Sequence, residues 1–482
     1  MSAPHRRVLA VLLLVALAAP AVPALAQPAP QPGAPPVPSP LPAIPAVPPV
    51  PSPGPGAPLT LAQAVSMALQ QNLQLRQAAL QVAVSRAQLA QAQAATWPTV
   101  GVTAGYSPVF GITSGPSTLS GTITIPGAGV TSQPFVAQVP TTAGTTPWLV
   151  ELRLSYPLYT GNALQDQIAI AQASLRAAEA ALSALANQIV LQARQAYYAM
   201  QLAQGQVAAA QRAVAAAQEN VRVTQARVRA GTSPQFDLLQ AQVLLAQQQQ
   251  TLTAQRANVI TAQQQLNVVL NQAIVASVAP ATPLGLPAPP EDVEALVRQA
   301  LQTRPELAQV QAQEQAAQAA IDLAAAGLRP NVSLTGGPQI VTSDITTRAP
   351  VTWAAGIQMT LTIFDGGVTR AKIEQARQQL AVAQTTEAQT RQTIEQQVRT
   401  AYVSMQSSAE QLRSAETALV AAREALRIAN VRFQAGVGTQ LEVVTAEQNL
   451  ASADLGVVQA EYTYNLALAQ IQQAVGVQVA LR

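Results

Sequence analysis

The sequence predicts a mixed α/β membrane protein. Long α-helical coiled coils are expected to form an α-barrel, and four strands to contribute to a trimeric, 12-stranded transmembrane β-barrel. Three observations predict this class: the chain is internally duplicated, each half has two segments with strand-like alternation, and each half ends in sustained heptads. The composition agrees, because 49% of the 482 residues are hydrophobic but only 10% are charged, which is unusual for soluble enzyme domains.

Residues 1–26 have the pattern of a cleaved secretory signal peptide. A basic start at residues 5–7 precedes an apolar run at 8–19, and Ala24-Leu25-Ala26 matches an A-x-A cleavage site. An uncleaved anchor helix is the alternative, which the short run and its flanking prolines disfavour. Because the chain has no Cys, an anchor on a lipid-modified N-terminal Cys is excluded.

A comparison of the chain with itself reveals the duplication. Residues 68–105 match 300–337 without a gap, and residues 148–271 match 353–476. The two offsets, 232 and 205, differ by 27, so the first half carries a longer loop, around residues 107–146.

The mature chain therefore divides into two structural repeats. We expect a Pro-rich tether at 27–58, a first repeat at 59–279, a linker at 280–290 and a second repeat at 291–482. In the tether about every second residue is Pro, which favours an extended chain without a core.

Each repeat is predicted to begin with a helix followed by two strands. The strands cover about 97–106 and 148–159 in the first repeat, and about 329–341 and 353–364 in the second. Apolar and polar residues alternate along all four, so each strand has one apolar and one polar face. Each is long enough to cross a bilayer as a tilted strand.

Each repeat then ends in an antiparallel hairpin of two long helices, with tips predicted at 231–234 and 436–439. Heptad spacing indicates left-handed coiled-coil packing. On the first arms the heptad positions are Val207, Val214, Val221 and Val228, copied as Leu412, Leu419, Leu426 and Phe433. On the return arms they are Leu238, Leu245, Leu252, Val259 and Leu266, copied as Val443, Leu450, Val457, Tyr464 and Ile471. No Pro interrupts residues 162–230, which predicts a reach of about 100 Å.

Four strands cannot close a barrel, and open strand edges are not tolerated in lipid. The chain is therefore expected to oligomerise. Two copies would give eight strands with an interior filled by side chains, whereas three copies would give twelve and leave a lumen. The polar inward positions of the strands and the Gln-rich helices favour a water-filled interior. Because only the twelve-stranded barrel leaves a lumen, a homotrimer is expected. Glu151 and Arg153 lie on the inward face, either as a lumen charge pair or as ordinary inward polar residues.

Aromatic residues collect at the ends of the predicted strands. They are Trp97, Tyr106, Trp148, Tyr156, Tyr159, Trp353 and Phe364. Girdles at the two interfaces with outer-membrane lipid explain this placement. Core packing in a soluble sheet is the alternative, but it would not explain why the long helices lack Trp.

The residue content argues against enzymatic chemistry. His5 is the only His and lies in the predicted signal peptide, and there is no Cys, so neither a Ser-His-Asp triad nor a usual zinc site can be built. Lys372 is the only Lys and has no P-loop around it. The mature chain would carry 24 basic and 23 acidic residues, and no basic patch indicates nucleic acid. No catalytic residue, cofactor or metal is expected.

Five segments of the chain resemble a known family. The segments that carry the resemblance are LTLAQAVSMALQQNLQLRQAAL, ALQTRPELAQVQAQ, LYTGN, IFDGG and RFQAGVGTQLEVVTAEQNL. In this order, and duplicated, they are similar to the outer membrane efflux protein family, the TolC-like outer membrane factors, from Leu59 to Gly476.

The resemblance implies a trimeric channel in the bacterial outer membrane with a periplasmic helical tunnel. It also implies a periplasmic adaptor (a membrane fusion protein) and an inner-membrane pump of the RND, ABC or MFS type. The channel would then be the passive exit duct of a tripartite efflux or type I secretion system. A non-conducting periplasmic coiled-coil scaffold or adaptor is the alternative, which the duplication and the aromatic-flanked strands do not favour.

The resemblance also assigns roles to the hairpin tips. In the family, polar links among hairpin residues help to hold the periplasmic aperture shut, and Asp237 and Glu442 match positions where the family often has carboxylates. The alternative is that both are solvated acids that favour a helix N-terminus. The family pattern also has a tyrosine, an arginine and a second carboxylate where this chain has Phe433, Gly438 and Thr445, which departs from a salt-bridge latch. Glycines at the tips are expected to cap helices, and the tips to receive the adaptor. The tip residues are Gly231, Thr232, Ser233, Pro234, Gly436, Val437, Gly438 and Thr439.

Overall fold

The computed structural model describes residues 58–106, 118–122, 134–138, 148–274, 276, 279–280, 292–342 and 350–476. The predicted signal peptide, the Pro-rich tether up to residue 57 and nearly all of the predicted linker lie outside these residues. Side chains are described for the same residues except Pro58, 118–122, 134–138, Trp148, Ala279 and Thr342.

Helices and strands alternate in the predicted duplicated order. The first elements are β1 (Pro58–Leu59), α1 (Leu61–Gln71), α2 (Leu73–Ala94), β2 (Thr99–Tyr106), β3 (Thr118–Thr122), β4 (Pro134–Gln138), β5 (Trp148–Tyr159), α3 (Ala163–Arg229) and α4 (Gln235–Val269). The others are β6 (Ala279–Pro280), α5 (Val293–Thr303), α6 (Pro305–Ala325), β7 (Asn331–Thr342), β8 (Val351–Thr360), α7 (Val368–Gln434) and α8 (Gln440–Val475).

The four predicted strands form one antiparallel sheet in the order β2-β5-β7-β8. Its register places apolar residues opposite apolar ones and polar residues opposite polar ones. Val100 lies opposite Leu154, whereas Thr103 lies opposite Glu151, which in turn lies opposite Gln339. The sheet therefore has one apolar and one polar face, and within the described residues β2 and β8 each have a strand partner on one side only.

Four predicted strand limits were wrong by two residues or more, among them the start of β8, which lies at Val351 and not at residue 353. β2 and β7 begin two residues late, at Thr99 and Asn331, because Pro98 and Pro330 have no N–H with which to pair. β8 ends at Thr360 and not at residue 364, since Thr360 pairs with Asn331, the first residue of β7, and nothing on β7 remains to pair beyond it.

The first helix of each repeat, predicted as continuous, is broken in two. At Asn72 the backbone is extended, and the side chain accepts hydrogen bonds from the amides of Gln74 (2.9 Å) and Leu75 (3.3 Å), which starts α2. At Arg304 the break precedes Pro305, which cannot continue α5 but fits the first turn of α6. The loop at 107–146 was also predicted without strands, but β3 and β4 pair there as an antiparallel hairpin.

The two coiled-coil hairpins form as predicted, α3 with α4 and α7 with α8. Both α3 and α7 run for 67 residues, which corresponds to about 100 Å. Every predicted heptad residue is buried or partly buried. The most buried are Val214, Leu238 and Leu266 in the first hairpin, and Leu412, Phe433, Val443, Tyr464 and Ile471 in the second.

Helix α3 also contains an 18-residue window of mean hydropathy 1.2, apolar enough by length and composition to cross a membrane. It is the one such helix among the described residues. Because α3 packs against α2, α4, α6 and α8 over its length, composition alone does not assign it to lipid.

A buried tyrosine joins the strand β1 to the hairpin of the first repeat. The Tyr197 hydroxyl donates to the carbonyl oxygen of Leu59 at 2.9 Å, and both residues are buried. Tyr402 stands at the equivalent position of the second repeat; it is partly buried, and its hydroxyl accepts from Gln406 Nε2 at 3.0 Å.

We expect Tyr197→Phe to lower the free energy of unfolding by about 1–3 kcal/mol, because it leaves a buried carbonyl without its donor. Tyr198→Phe, at the next position on α3, is the control; its hydroxyl makes no hydrogen bond among the described residues, so the loss should be less than about 0.5 kcal/mol. Chemical denaturation of the detergent-solubilised protein, followed by circular dichroism, measures both. Equal losses in the two variants would contradict the assignment.

Candidate functional site

Large apolar side chains cover one face of the four-stranded sheet and are left uncovered by the rest of the chain. Val100 and Val102 are each 66% exposed, Ile357 69% and Trp353 79%. A continuous apolar face of this kind requires an apolar surrounding or a partner. The opposite face carries Thr and Gln side chains, so the sheet separates two different environments.

The predicted girdle residues lie at the two ends of this sheet. Tyr106 and Trp148 are opposite one another at the end farther from the helices, where Trp353 also lies. Near the helical end are Trp97, Tyr156, Tyr159 and Phe364, each exposed by a third or more. The aromatic residues therefore lie at two levels, with Phe364 beyond the end of β8; that these levels are membrane girdles stays a prediction.

The predicted charge pair lies on the polar face of β5. Arg153 Nε donates to Glu151 Oε1 at 2.8 Å, and Arg153 Nη2 donates to Glu151 Oε2 at 3.1 Å. The bidentate geometry holds both charges over the same face as Thr103 and Gln339. Their position in a lumen remains a prediction.

The first tip closes α3 with a glycine in the left-handed region. Gly231 has φ +71°, and the Thr232 amide donates to the Arg227 carbonyl at 2.9 Å, which satisfies the end of the helix. Pro234 starts α4 without a side-chain cap. Asp237 accepts from the Ser233 hydroxyl at 2.8 Å, so its carboxylate is held within its own hairpin.

The second tip is more tightly tied. Gly436 has φ +77°. A Cβ at Gly438 would lie 2.9 Å from the Phe433 amide nitrogen, so there is no room for a side chain at this position. Thr439 caps α8 through the Glu442 amide (3.3 Å). Glu442 Oε2 lies 3.3 Å from Arg432 Nε on the same hairpin. The structure therefore does not bring Asp237 and Glu442 together within one chain.

An arginine that the sequence analysis missed links the two tips. Arg227 Nη1, on α3, donates to the carbonyl oxygen of Phe433 at 2.9 Å, and its guanidinium carbon lies 4.1 Å from the centroid of the Phe433 ring. The cation thus stacks on an aromatic ring and binds a carbonyl at the C-terminal end of α7, one that also accepts from the Gly436 amide at 3.2 Å. No local sequence pattern signals a contact between residues so far apart in the chain.

A polar contact between the hairpins continues from this link, and we call it the interhairpin seam. Its members are Arg212, Asn220 and Thr224 on α3, and Gln440, Glu447 and Asp454 on α8. A signal for it was present: Gln440, Glu447, Asp454 and Glu461 recur every seven residues, whereas the copied positions on α4 are Gln235, Gln242, Gln249 and Arg256. Farther from the tips than the seam, α3 and α8 approach so closely that a Cβ at Gly205 would lie 2.6 Å from Val458 Cγ1.

The chain matches the family profile described as Outer membrane efflux protein over residues 64–272 and 296–477. A curated relative, the solvent efflux pump outer membrane protein SrpC of Pseudomonas putida, is 25% identical over 227 residues. That match covers 46% of this chain and 48% of SrpC, so it spans about half the length of the relative.

Solved structures share the fold. The CmeC outer membrane channel of Campylobacter jejuni has a TM-score of 0.71 and 19% identity, covering 86% of this chain and 85% of that one. The outer membrane protein VceC of Vibrio cholerae has a TM-score of 0.70 and 18% identity, covering 86% of this chain and 96% of that one. The long helical hairpins and the four-stranded sheet are therefore the fold of outer membrane channels.

We expect Arg227→Gln to loosen the second tip, because it removes a charge-assisted hydrogen bond of about 1.5–3 kcal/mol. Amide hydrogen exchange around residues 430–438 should then become at least about tenfold faster. Arg229→Gln, two residues along and exposed, is the control and should leave the exchange unchanged. Unaltered exchange in Arg227→Gln would show that the tips are not joined through this side chain.

Proposed function

The chain belongs to the outer membrane efflux protein family, and on that premise we propose that it is a passive outer-membrane exit duct that works as a homotrimer. The observation that carries the proposal is the four-stranded sheet, which has one exposed apolar face and two edge strands. Three copies, each pairing β8 with β2 of the next, would satisfy these edges and close a 12-stranded barrel. The helices would then continue the pore as a tunnel into the periplasm.

The two faces of the sheet support this arrangement. The apolar face, with its aromatic residues at two levels, would contact outer-membrane lipid. The polar face would line the lumen, where Glu151 and Arg153 remain paired. A signal peptide removed after Ala26 would direct the chain across the inner membrane, and the absence of Cys leaves no site for an N-terminal lipid.

The helical tips would be the periplasmic end of the duct. Their helices are much longer than the sheet, so the tips would lie far from the outer membrane and within reach of a periplasmic adaptor bound to an inner-membrane pump. The pump would be of the RND, ABC or MFS type, and the cargo a small molecule or a secreted protein. SrpC is described as part of a solvent efflux pump, which favours small molecules.

The test of conduction is a planar bilayer recording with protein purified from outer membranes. We expect discrete conductance steps, at least after tip substitutions such as Arg227→Gln that loosen the hairpins. A protein that inserts but never conducts, with or without those substitutions, would favour the scaffold alternative.

We also expect Glu442 to influence ion selectivity. In a trimer three copies would surround the axis near the aperture, and a ring of carboxylates favours cations. Glu442→Gln should lower the cation-to-anion permeability ratio, measured from the reversal potential in a salt gradient. Glu424→Gln, an exposed acid paired with Arg427 on α7, is the control. Unchanged selectivity in Glu442→Gln would remove Glu442 from the aperture.

A further inference from the structure

Two different kinds of contact hold the four long helices of one chain together. Within each hairpin the helices meet mainly through an apolar heptad seam. In the second hairpin Glu461 on α8 also lies near Glu416 on α7, and burial and, to a lesser extent, this like charge raise the pKa of Glu461. Between the hairpins, near the tips, α3 and α8 meet through the interhairpin seam, which is built from hydrogen bonds and charges. Any change that separates the hairpins without unfolding them would therefore act on the seam between α3 and α8.

The centre of the seam is a buried network of side chains. Asn220 and Gln440 are 7% and 3% exposed, and Gln440 Nε2 donates to Asn220 Oδ1 at 2.8 Å. Thr224, which is fully buried, donates to the same oxygen at 3.2 Å. Asn220 Nδ2 then donates to Glu447 Oε2 at 3.0 Å. The bonds of Asn220 with Gln440 and with Glu447 cross between α3 and α8, and the bond from Thr224 fixes the Asn220 side chain within α3. The complete network therefore exists only while α3 and α8 are in contact.

Glu447 is the titratable member of this network. It is partly buried beside a cavity of about 120 Å³ enclosed by α3, α4, α7 and α8. The polar and charged groups that face this cavity are Arg212 on α3, Gln248 on α4, Arg423 on α7 and Asp454 on α8. A cavity of this size holds a few water molecules, so a proton can reach the carboxyl.

None of the neighbouring cations neutralises Glu447. Arg212 is committed to Asp454, to which it donates from Nε (2.9 Å) and Nη2 (2.5 Å). Arg423 is exposed on α7, and among the described residues it forms no ion pair. An ionised Glu447 in the joined seam would therefore be a desolvated charge without a counter-ion, which is unfavourable.

We propose that the interhairpin seam is a proton-sensitive clasp, joined while Glu447 is protonated and released when this carboxyl ionises. The clasp is a property of one chain, but its effect on the periplasmic aperture rests on the proposed function. It would make the separation of the hairpins depend on the pH of the compartment around the tips.

The pH range follows from the burial of Glu447. Desolvation raises the pKa of Glu447 from 4.5 to about 7, against the opposing hydrogen bond from Asn220. In a separated seam the group would return to its ordinary pKa. A raised pKa means that the joined state binds the proton more tightly, so joining is most favourable below pH 4.5 and weakens up to about pH 7. Each pH unit in this range shifts the equilibrium toward separation by up to about tenfold.

A distance measurement across the seam tests the clasp directly. Gln218 on α3 and Gln448 on α8 are exposed, and the chain has no native Cys, so Gln218→Cys and Gln448→Cys can each carry a spin label. Labelled chain is assembled with an excess of unlabelled chain, so that distances within one protomer dominate. Electron double resonance is then recorded between about pH 5 and about pH 8.

We expect one short distance at the acidic end and a longer population that grows with pH and levels off above about pH 7. Glu447→Gln, which mimics the protonated acid, should keep the short distance throughout. Glu410→Gln, an exposed acid paired with Arg413 on α7, should behave as the unmodified chain. If the distance is independent of pH, or if Glu447→Gln still responds, the clasp is refuted.

A second variant covers a failure of Glu447→Gln to fold. Asn220→Ala removes hydrogen bonds that Gln440 and Glu447 make only in the joined seam, so separation should begin at a lower pH; an unchanged midpoint would contradict the clasp. Conductance recorded on the same protein separates this proposal from the channel proposal. A conducting protein with pH-independent distances refutes the clasp alone, whereas pH-dependent distances without conductance support the clasp and refute the channel.

Discussion

Backbone pairing at the edges of the four-stranded sheet is the constraint on which the rest of the structure depends. An unpaired N–H or C=O in hydrocarbon costs several kcal/mol, and β2 and β8 each present a row of such groups. The exposed apolar face excludes water as a permanent surrounding, and lipid excludes open edges. Assembly with identical copies, as we propose, would satisfy both requirements, because the two repeats place their four strands side by side in one sheet.

The same duplication explains where the chain is uniform and where it differs. The two hairpins are built from equivalent heptads, so their internal packing is nearly the same. The copies differ where the hairpins meet. On α8 the heptad positions facing α3 are Gln440, Glu447 and Asp454, whereas the copied positions on α4 are all Gln. The divergence concentrates charge in the interhairpin seam, one of the contacts that join the two coiled coils.

Local patterns in the sequence predicted most of the fold. Alternation placed all four sheet strands, and the heptads placed Leu412, Phe433 and Val443 in the seams where the structure has them. The helix breaks at Asn72 and before Pro305 were missed although both residues are known helix boundaries, because strong periodicity on either side suggested continuity. The predicted end of β8 was wrong because pairing with β7 decides where the strand ends. The sequence of a single segment does not encode that register.

The candidate site was less predictable, for a physical reason. Contacts such as that of Arg227 with Phe433 depend on the relative position of two coiled coils, which no local sequence pattern encodes.

The central claim, that the open sheet is completed by identical copies, is tested most directly by the mass of the assembly extracted from outer membranes in detergent. Native mass spectrometry should give three times the mass of the mature chain. A solitary chain that stays soluble without detergent would contradict the account.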